Sequence, residues 1–212
     1  MAAATGEVYG LTADTHGAFK KISEIDNVAV CGMAAGYGTT YVVTQPICLQ
    51  GASVSETPAK TWAFDWVEDE ETGEKSLVPR LMDTEFSDMS RAKERVQMIA
   101  QGYTHTLALT DSGKVYAMGQ SFYGSTGHGG SKSSDIFQEI AALKGDSFKY
   151  VACGKHCSLV IAQDNSVFCW GENFSGEAGI FSPVEATPRF SPLLTKRIIR
   201  KVSFGDKHAI AC

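Results

Sequence analysis

Short apolar runs come in pairs along this chain, each pair divided by a tripeptide of Asp, Asn, Ser or Gly. Leu107 and Leu109 precede Asp111-Ser112-Gly113, and Val115 and Tyr116 follow it; Asp164-Asn165-Ser166 divides a second such pair. Alternating or β-branched flanks predict strands, and Asp, Asn and Gly between them supply positive φ and local side-chain bonds at little cost. Each pair therefore predicts a β-hairpin. The run from Ile140 to Leu143 fits either a helical turn or part of an outer strand, because four residues do not separate the two periods.

The hairpins repeat. Their first strands read Met33–Thr44, Ile99–Thr110, Val151–Ala162 and Val202–Cys212, aligned on Gly36, Gly102, Gly154 and Gly205, which are 66, 52 and 51 residues apart. The second strands are assigned to Gly6–Leu11, Gln45–Gly51, Gly113–Gly119 and Asn165–Gly171. Three glycines, Gly119, Gly124 and Gly127, recur as Gly171, Gly176 and Gly179, which predicts backbone that bends sharply or lies against other backbone. Such self-similarity marks a propeller or solenoid, whose units cannot bury an apolar face alone. One repeat domain, 1–212, is expected, with units at about 6–44, 45–110, 111–162 and 163–212 and an insertion at 52–95 that explains the longer first interval.

Composition removes several classes of function. A net charge of −5 and the interrupted basic cluster Lys196, Arg197, Arg200 and Lys201 give no surface for a nucleic-acid backbone, so no nucleic-acid partner is expected. No apolar run approaches the roughly 18 residues that cross a bilayer, and the first residues lack a signal peptide's basic and apolar regions. An intracellular protein, nuclear or cytoplasmic, is expected, without a membrane partner. The six cysteines fall largely on repeat positions and are expected to be reduced and buried.

Two segments, Gly102-Tyr-Thr-His105-Thr with Gly113-Lys-Val-Tyr-Ala-Met-Gly119, and Gly154-Lys-His-Cys157-Ser with Val167-Phe-Cys-Trp-Gly171, carry a further signal. They resemble the regulator-of-chromosome-condensation repeat family, built on a Gly-x-x-His-Thr/Ser strand, a turn, a Gly-x-Val-Tyr/Phe-x-Trp/Met-Gly strand and a glycine corner. The Trp-Asp dipeptide and repeated double glycine of two rival propeller families do not occur. The resemblance implies an all-β fold, a β-propeller of four-stranded blades, seven in full-length members. About four blades' worth is present, so an incomplete ring with an open edge is expected.

The candidate chemistry mostly dissolves into this frame. His105 and His208 share one repeat position, which predicts buried imidazoles satisfied by backbone groups of their own blade. Cys153, His156 and Cys157 are close in sequence, but on a strand His156 would face away from the two thiols, so no metal is expected. There is no nucleophile elbow, phosphate loop with its Lys, or zincin motif; neither catalytic residues nor a cofactor are expected.

The insertion is the most individual stretch. Trp62, Phe64 and Trp66 alternate and would share one face of a strand, ahead of the acidic Glu68, Asp69, Glu70 and Glu71. The row either covers a neighbouring blade or stands exposed to dock a basic segment of another protein. Together with Tyr123 and His128, these residues form the expected partner-contact set. The expected function is a noncatalytic protein-interaction module; the alternative, drawn from the resemblance, is nucleotide exchange on a Ran-like small GTPase.

Overall fold

A computed structural model of the chain describes residues 8–11, 19–22, 28–36, 39–46, 60–68, 75–82, 94–195 and 197–212. Among them the regular structure is strands and two short 3₁₀ turns, and no helix is long and apolar enough to cross a membrane. Three four-stranded sheets and two two-stranded sheets form, each from consecutive strands in sequential order. The chain divides into two compact units, Met1–Met33 with Gly38–Met82, and Ala34–Tyr37 with Asp83–Cys212.

In the first unit β1 (Val8–Leu11) pairs antiparallel with β2 (Phe19–Ile22). A sheet follows from β3 (Val28–Ala35), β4 (Thr39–Pro46), β5 (Lys60–Glu68) and β6 (Lys75–Leu81). The partner of β4 is thus the Lys60–Glu68 strand and not the expected Gln45–Gly51 segment, of which Ile47 to Gly51 lie outside the described residues. Register explains the exchange. Val43 faces Thr61 as Leu109 faces Val115, so Lys60-Thr-Trp-Ala-Phe64 fills the places that Lys114-Val-Tyr-Ala-Met118 fills in the next sheet. Residues expected to form an insertion are therefore the third and fourth strands of a sheet.

In the second unit β7 (Val96–Gln101), β8 (His105–Thr110), β9 (Val115–Gly119) and β10 (Ser134–Glu139) form one sheet. The next contains β11 (Phe148–Cys153), β12 (Cys157–Ala162), β13 (Val167–Glu172) and β14 (Val184–Phe190), and β15 (Val202–Phe204) pairs with β16 (Ala209–Ala211). Both hairpin turns form where expected, with Asn165 at φ 72°. The sheets begin half a repeat away from the sequence units, whose boundaries fall between β8 and β9 and between β12 and β13. The Ile140–Leu143 run resolves as a 3₁₀ turn, Ala141–Leu143, with Ile140 and Leu143 buried.

All six residues of β8 and of β12 are buried. A strand with one wet face would alternate; burial on both faces leaves these runs apolar or small apart from His105. Leu107, Leu109, Val115, Val151 and Val160 meet in one core between the sheets. Each such side chain contributes about 1.5–3 kcal/mol by leaving water.

The glycine corner sets how closely the sheets approach. At Gly124, φ is +77° and a Cβ would run into the backbone of Ala186; at Gly127, φ is +80° and a Cβ would sit 2.9 Å from the Trp170 indole nitrogen. Both predicted roles, bending and close approach, are combined at these positions.

Candidate interaction surface

A polar chain crosses the core between the second unit's two full sheets. The His105 imidazole, 1% exposed, meets the Ser158 hydroxyl through Nε2 at 2.8 Å, and Ser158 Oγ donates to the Ser125 carbonyl at 2.8 Å. The Trp170 indole N–H donates to that same carbonyl at 2.8 Å. His105 is buried as expected, but its Nε2 partner belongs to the next sheet instead of its own backbone. The neighbouring hydroxyl is nearer because the sheets pack face to face. Burial, with a smaller contribution from His156, lowers its pKa to about 3, so the ring is neutral. His208 departs from its expected burial and is exposed, since no further sheet of the described residues covers its strand.

The sulfur groups are equally structural. Cys153 Sγ lies 3.4 Å from the Ala100 carbonyl, while Cys157 and Cys169 are buried. Burial pushes the Cys157 thiol up to about 12 and holds Cys153 and Cys169 far above the ordinary range, so all three stay protonated at neutral pH. No three His, Cys, Asp or Glu side chains of the described residues gather as a metal-binding group. His156 points elsewhere.

Its position defines the surface. In antiparallel sheets the β7–β8 and β9–β10 connections share one end, as do β11–β12 and β13–β14. Tyr103, Phe122, Tyr123, His156 and Phe174 come from these four connections and meet. The His156 ring centre lies 5.7 Å from Tyr103, 5.6 Å from Phe122 and 5.7 Å from Tyr123, and Tyr123 lies 5.5 Å from Phe174. Three of these contacts are edge-to-face, the arrangement aromatic quadrupoles favour. The Tyr103 amide donates to the Lys155 carbonyl at 3.0 Å and ties two of the turns together.

The patch is apolar yet open to water: Tyr103 is 37% exposed, Tyr123 46%, Phe122 49% and Phe174 61%. Tyr123 also sits at φ 54°, ψ 21°, in the left-handed region that costs a non-glycine residue about 1–2 kcal/mol. An exposed aromatic residue held in such a conformation is not explained by packing. Replacing it with glycine is expected to raise stability by about 1 kcal/mol, or leave it unchanged where lost ring contacts offset relieved strain, while removing the ring from the patch; denaturant midpoints measure the effect.

Charges border the rings. Lys155 pairs with Asp206 at 2.9 Å, which lowers the Asp206 pKa and raises that of Lys155. Burial lowers the His156 pKa, reinforced by Lys155 and opposed by Glu172 and Asp206, so at neutral pH the ring is predominantly uncharged. The Glu172 amide donates to the His156 carbonyl at 3.0 Å.

Of the expected contact residues, Tyr123 lies in this patch. His128 is half-buried, and no hydrogen bond or ring contact joins it to the cluster. Phe64 is 1% exposed and belongs to the core of its sheet; Trp62 is half-buried. The side chains of Trp66 and Glu68, and the whole of Asp69, Glu70 and Glu71, lie outside the described residues. Tyr103, Phe122 and Phe174 were not singled out in the sequence, and His156 only as a metal ligand to be set aside. Phe122 and Phe174 carried a signal, recurring three residues after Gly119 and Gly171, whereas Tyr103 and His156 follow the aligned Gly102 and Gly154 without matching each other, and only shared strand ends bring them together.

Two models of the regulator of chromosome condensation (RCC1) repeat match the chain, one at residues 96–125 and 148–177 and the other at 112–161. The Protein RCC2 homolog of Xenopus laevis is 33% identical over 119 residues, 55% of this chain and 23% of that protein. The X-linked retinitis pigmentosa GTPase regulator of Mus musculus is 35% identical over 88 residues, 41% of this chain and 9% of its own length. The structure of Prp20p from Saccharomyces cerevisiae, described with its binding to Gsp1p and histones, is similar at a TM-score of 0.65 and 18% identity, covering 93% of this chain and 46% of that one. The chain thus spans about half the length of that solved propeller and a quarter or less of these curated relatives. Both models fall within residues 96–177, so the four-stranded sheets stacked through the glycine corner there are built of regulator of chromosome condensation repeats, and the solved structure shares their fold.

Proposed function

We infer that the chain is a noncatalytic protein-interaction module whose contact surface is the aromatic patch around His156. The observation that supports it is the convergence of four exposed rings from three connections on the half-buried His156 of a fourth, one ring on a strained backbone. Exposed aromatics at one site are what interfaces use as anchors, and rigid sheets hold them without further ordering cost. The buried, protonated thiols and neutral His105 belong to the framework and leave the patch free of nucleophilic groups.

Trp62, Trp66 and the acidic residues Glu68, Asp69, Glu70 and Glu71 form a second contact region in this proposal, with Phe64 supporting the strand from the core. Affinity purification from source cells tests both. The Phe122→Ser, Phe174→Ser double variant is expected to lower partner recovery about tenfold or more without changing the circular dichroism spectrum, since interface aromatics each contribute about 1–2 kcal/mol or more. Removal of residues 69–74 is expected to give a smaller loss. Undiminished recovery from both variants would refute the reading.

A second reading, regulation of a Ran-like small GTPase, is favoured by the names of the mouse relative and of the yeast protein with its Gsp1p binding. Release of labelled nucleotide from purified Ran, with and without the chain, separates it from simple docking.

A further inference from the structure

We propose that the aromatic patch receives an arginine side chain from an exposed segment of a partner protein, with Glu172 as the carboxylate that meets its guanidinium. The proposal rests on the interaction reading above and specifies its ligand.

Two features favour that occupant over an apolar or acidic one. Tyr103, Phe122, Tyr123 and Phe174 expose 37–61% of their surface, and aromatic faces attract cations through the ring quadrupole. Glu172 stands at the end of β13, half-buried beside His156, and its carboxylate has no hydrogen bond or ion pair among the described residues.

The cation that acts on that carboxylate, Lys155, is shared with a second acid. Lys155 is the nearest cation that influences His156, and it is engaged at 2.9 Å by Asp206; Lys207 also lies close to Asp206. His156 is predominantly neutral at pH 7 and supplies little positive charge. A half-buried carboxylate without a hydrogen-bond partner is open to a cation arriving with its own donors, and hydrogen bonds between two charged groups are stronger than neutral ones. Arginine suits the site better than lysine. Its planar guanidinium stacks on aromatic rings, is weakly hydrated, and presents a two-pronged donor set to a carboxylate, whereas an ammonium is a strongly hydrated point charge.

The test is selection of a random nine-residue peptide library on the full 212-residue chain, with counter-selection on the Phe122→Ser, Phe174→Ser variant. Enriched sequences are expected to share one arginine. In the resulting peptide, arginine→citrulline removes the charge at nearly constant shape and is expected to weaken binding about tenfold or more; Glu172→Gln in the chain is expected to do the same. Glu172→Gln should leave the thermal midpoint unchanged, because the native carboxylate makes no bond that is lost. Patch-dependent enrichment of apolar or acidic peptides, or binding indifferent to citrulline and to Glu172→Gln, would overturn the arginine assignment and leave the interaction reading standing. A selection with no dependence on the patch at all would overturn both.

Discussion

Trp170→Ala is expected to destabilise the second unit by about 3–5 kcal/mol, the cost of removing a large aromatic from a core that cannot collapse around the gap. The side chain is fully buried, its ring lies against Gly127, and its indole N–H reaches the Ser125 carbonyl in the β9–β10 connection of the neighbouring sheet. Collapse is prevented because the surrounding wall is sheet backbone fixed by its own hydrogen-bond ladders. Trp170→Phe keeps most of the volume and loses one hydrogen bond from a carbonyl that retains Ser158 as donor, so a loss of about 1–2 kcal/mol is expected. Guanidinium titration followed by far-ultraviolet circular dichroism measures both. Equal effects of the two substitutions would show that the hydrogen bond, and not ring volume, carries the contribution.

Acid should weaken the same interface before most carboxylates are protonated. His105 is neutral in the folded chain with a pKa near 3, against about 6.5 for an unfolded histidine. Below pH 6.5 the unfolded state therefore binds a proton that the folded state does not, and stability falls with falling pH by about 1.4 kcal/mol per unit until pH nears the folded value. Between pH 6.5 and 4.5 His105 alone is expected to remove about 2–3 kcal/mol. His128 and His156, whose pKa values are also lowered by burial, act in the same direction. Comparing pH slopes of the urea midpoint for the wild-type chain and His105→Asn isolates the contribution. The variant is expected to start less stable at pH 7 and to have the shallower slope; identical slopes would mean that His105 is charged in the folded state.

Both predictions concern residues that a reader of the sequence can pick out, and they show where such reading stops. Trp170 and His105 are marked by the repeat: recurrence at fixed offsets identifies them as framework, and the hairpins, turns and glycine corner follow from local chemistry that a few neighbouring residues supply. The partner of His105 was not legible. Ser158 lies 53 residues away, and only face-to-face packing of sheets makes its hydroxyl nearer than the local backbone.

The Trp62–Trp66 stretch shows a different limit. Its match to Lys114–Met118 was present in the sequence, but the long interval between Thr44 and Lys60 hid it, since hairpin patterns are easiest to recognise when the turn is short. Register revealed Lys60–Glu68 as an ordinary third strand and placed Phe64 in the core. The patch was hidden for the opposite reason. Phe122 and Phe174 share one repeat position, three residues after Gly119 and Gly171, but Tyr103, Tyr123 and His156 have no counterpart of their own type in the other copy, so the repeat alone did not outline the cluster.

What the sequence determined by itself is the repeating unit: strand alternation, turn residues and glycines act over a few bonds, so they are written locally and survive in a one-dimensional reading. The tertiary structure decided which strands pair across a long connection, which hydroxyl satisfies a buried imidazole, and which loop side chains converge around His156. Those outcomes depend on the distance between sheets and the shared direction of their ends, quantities that exist only after the blades have stacked.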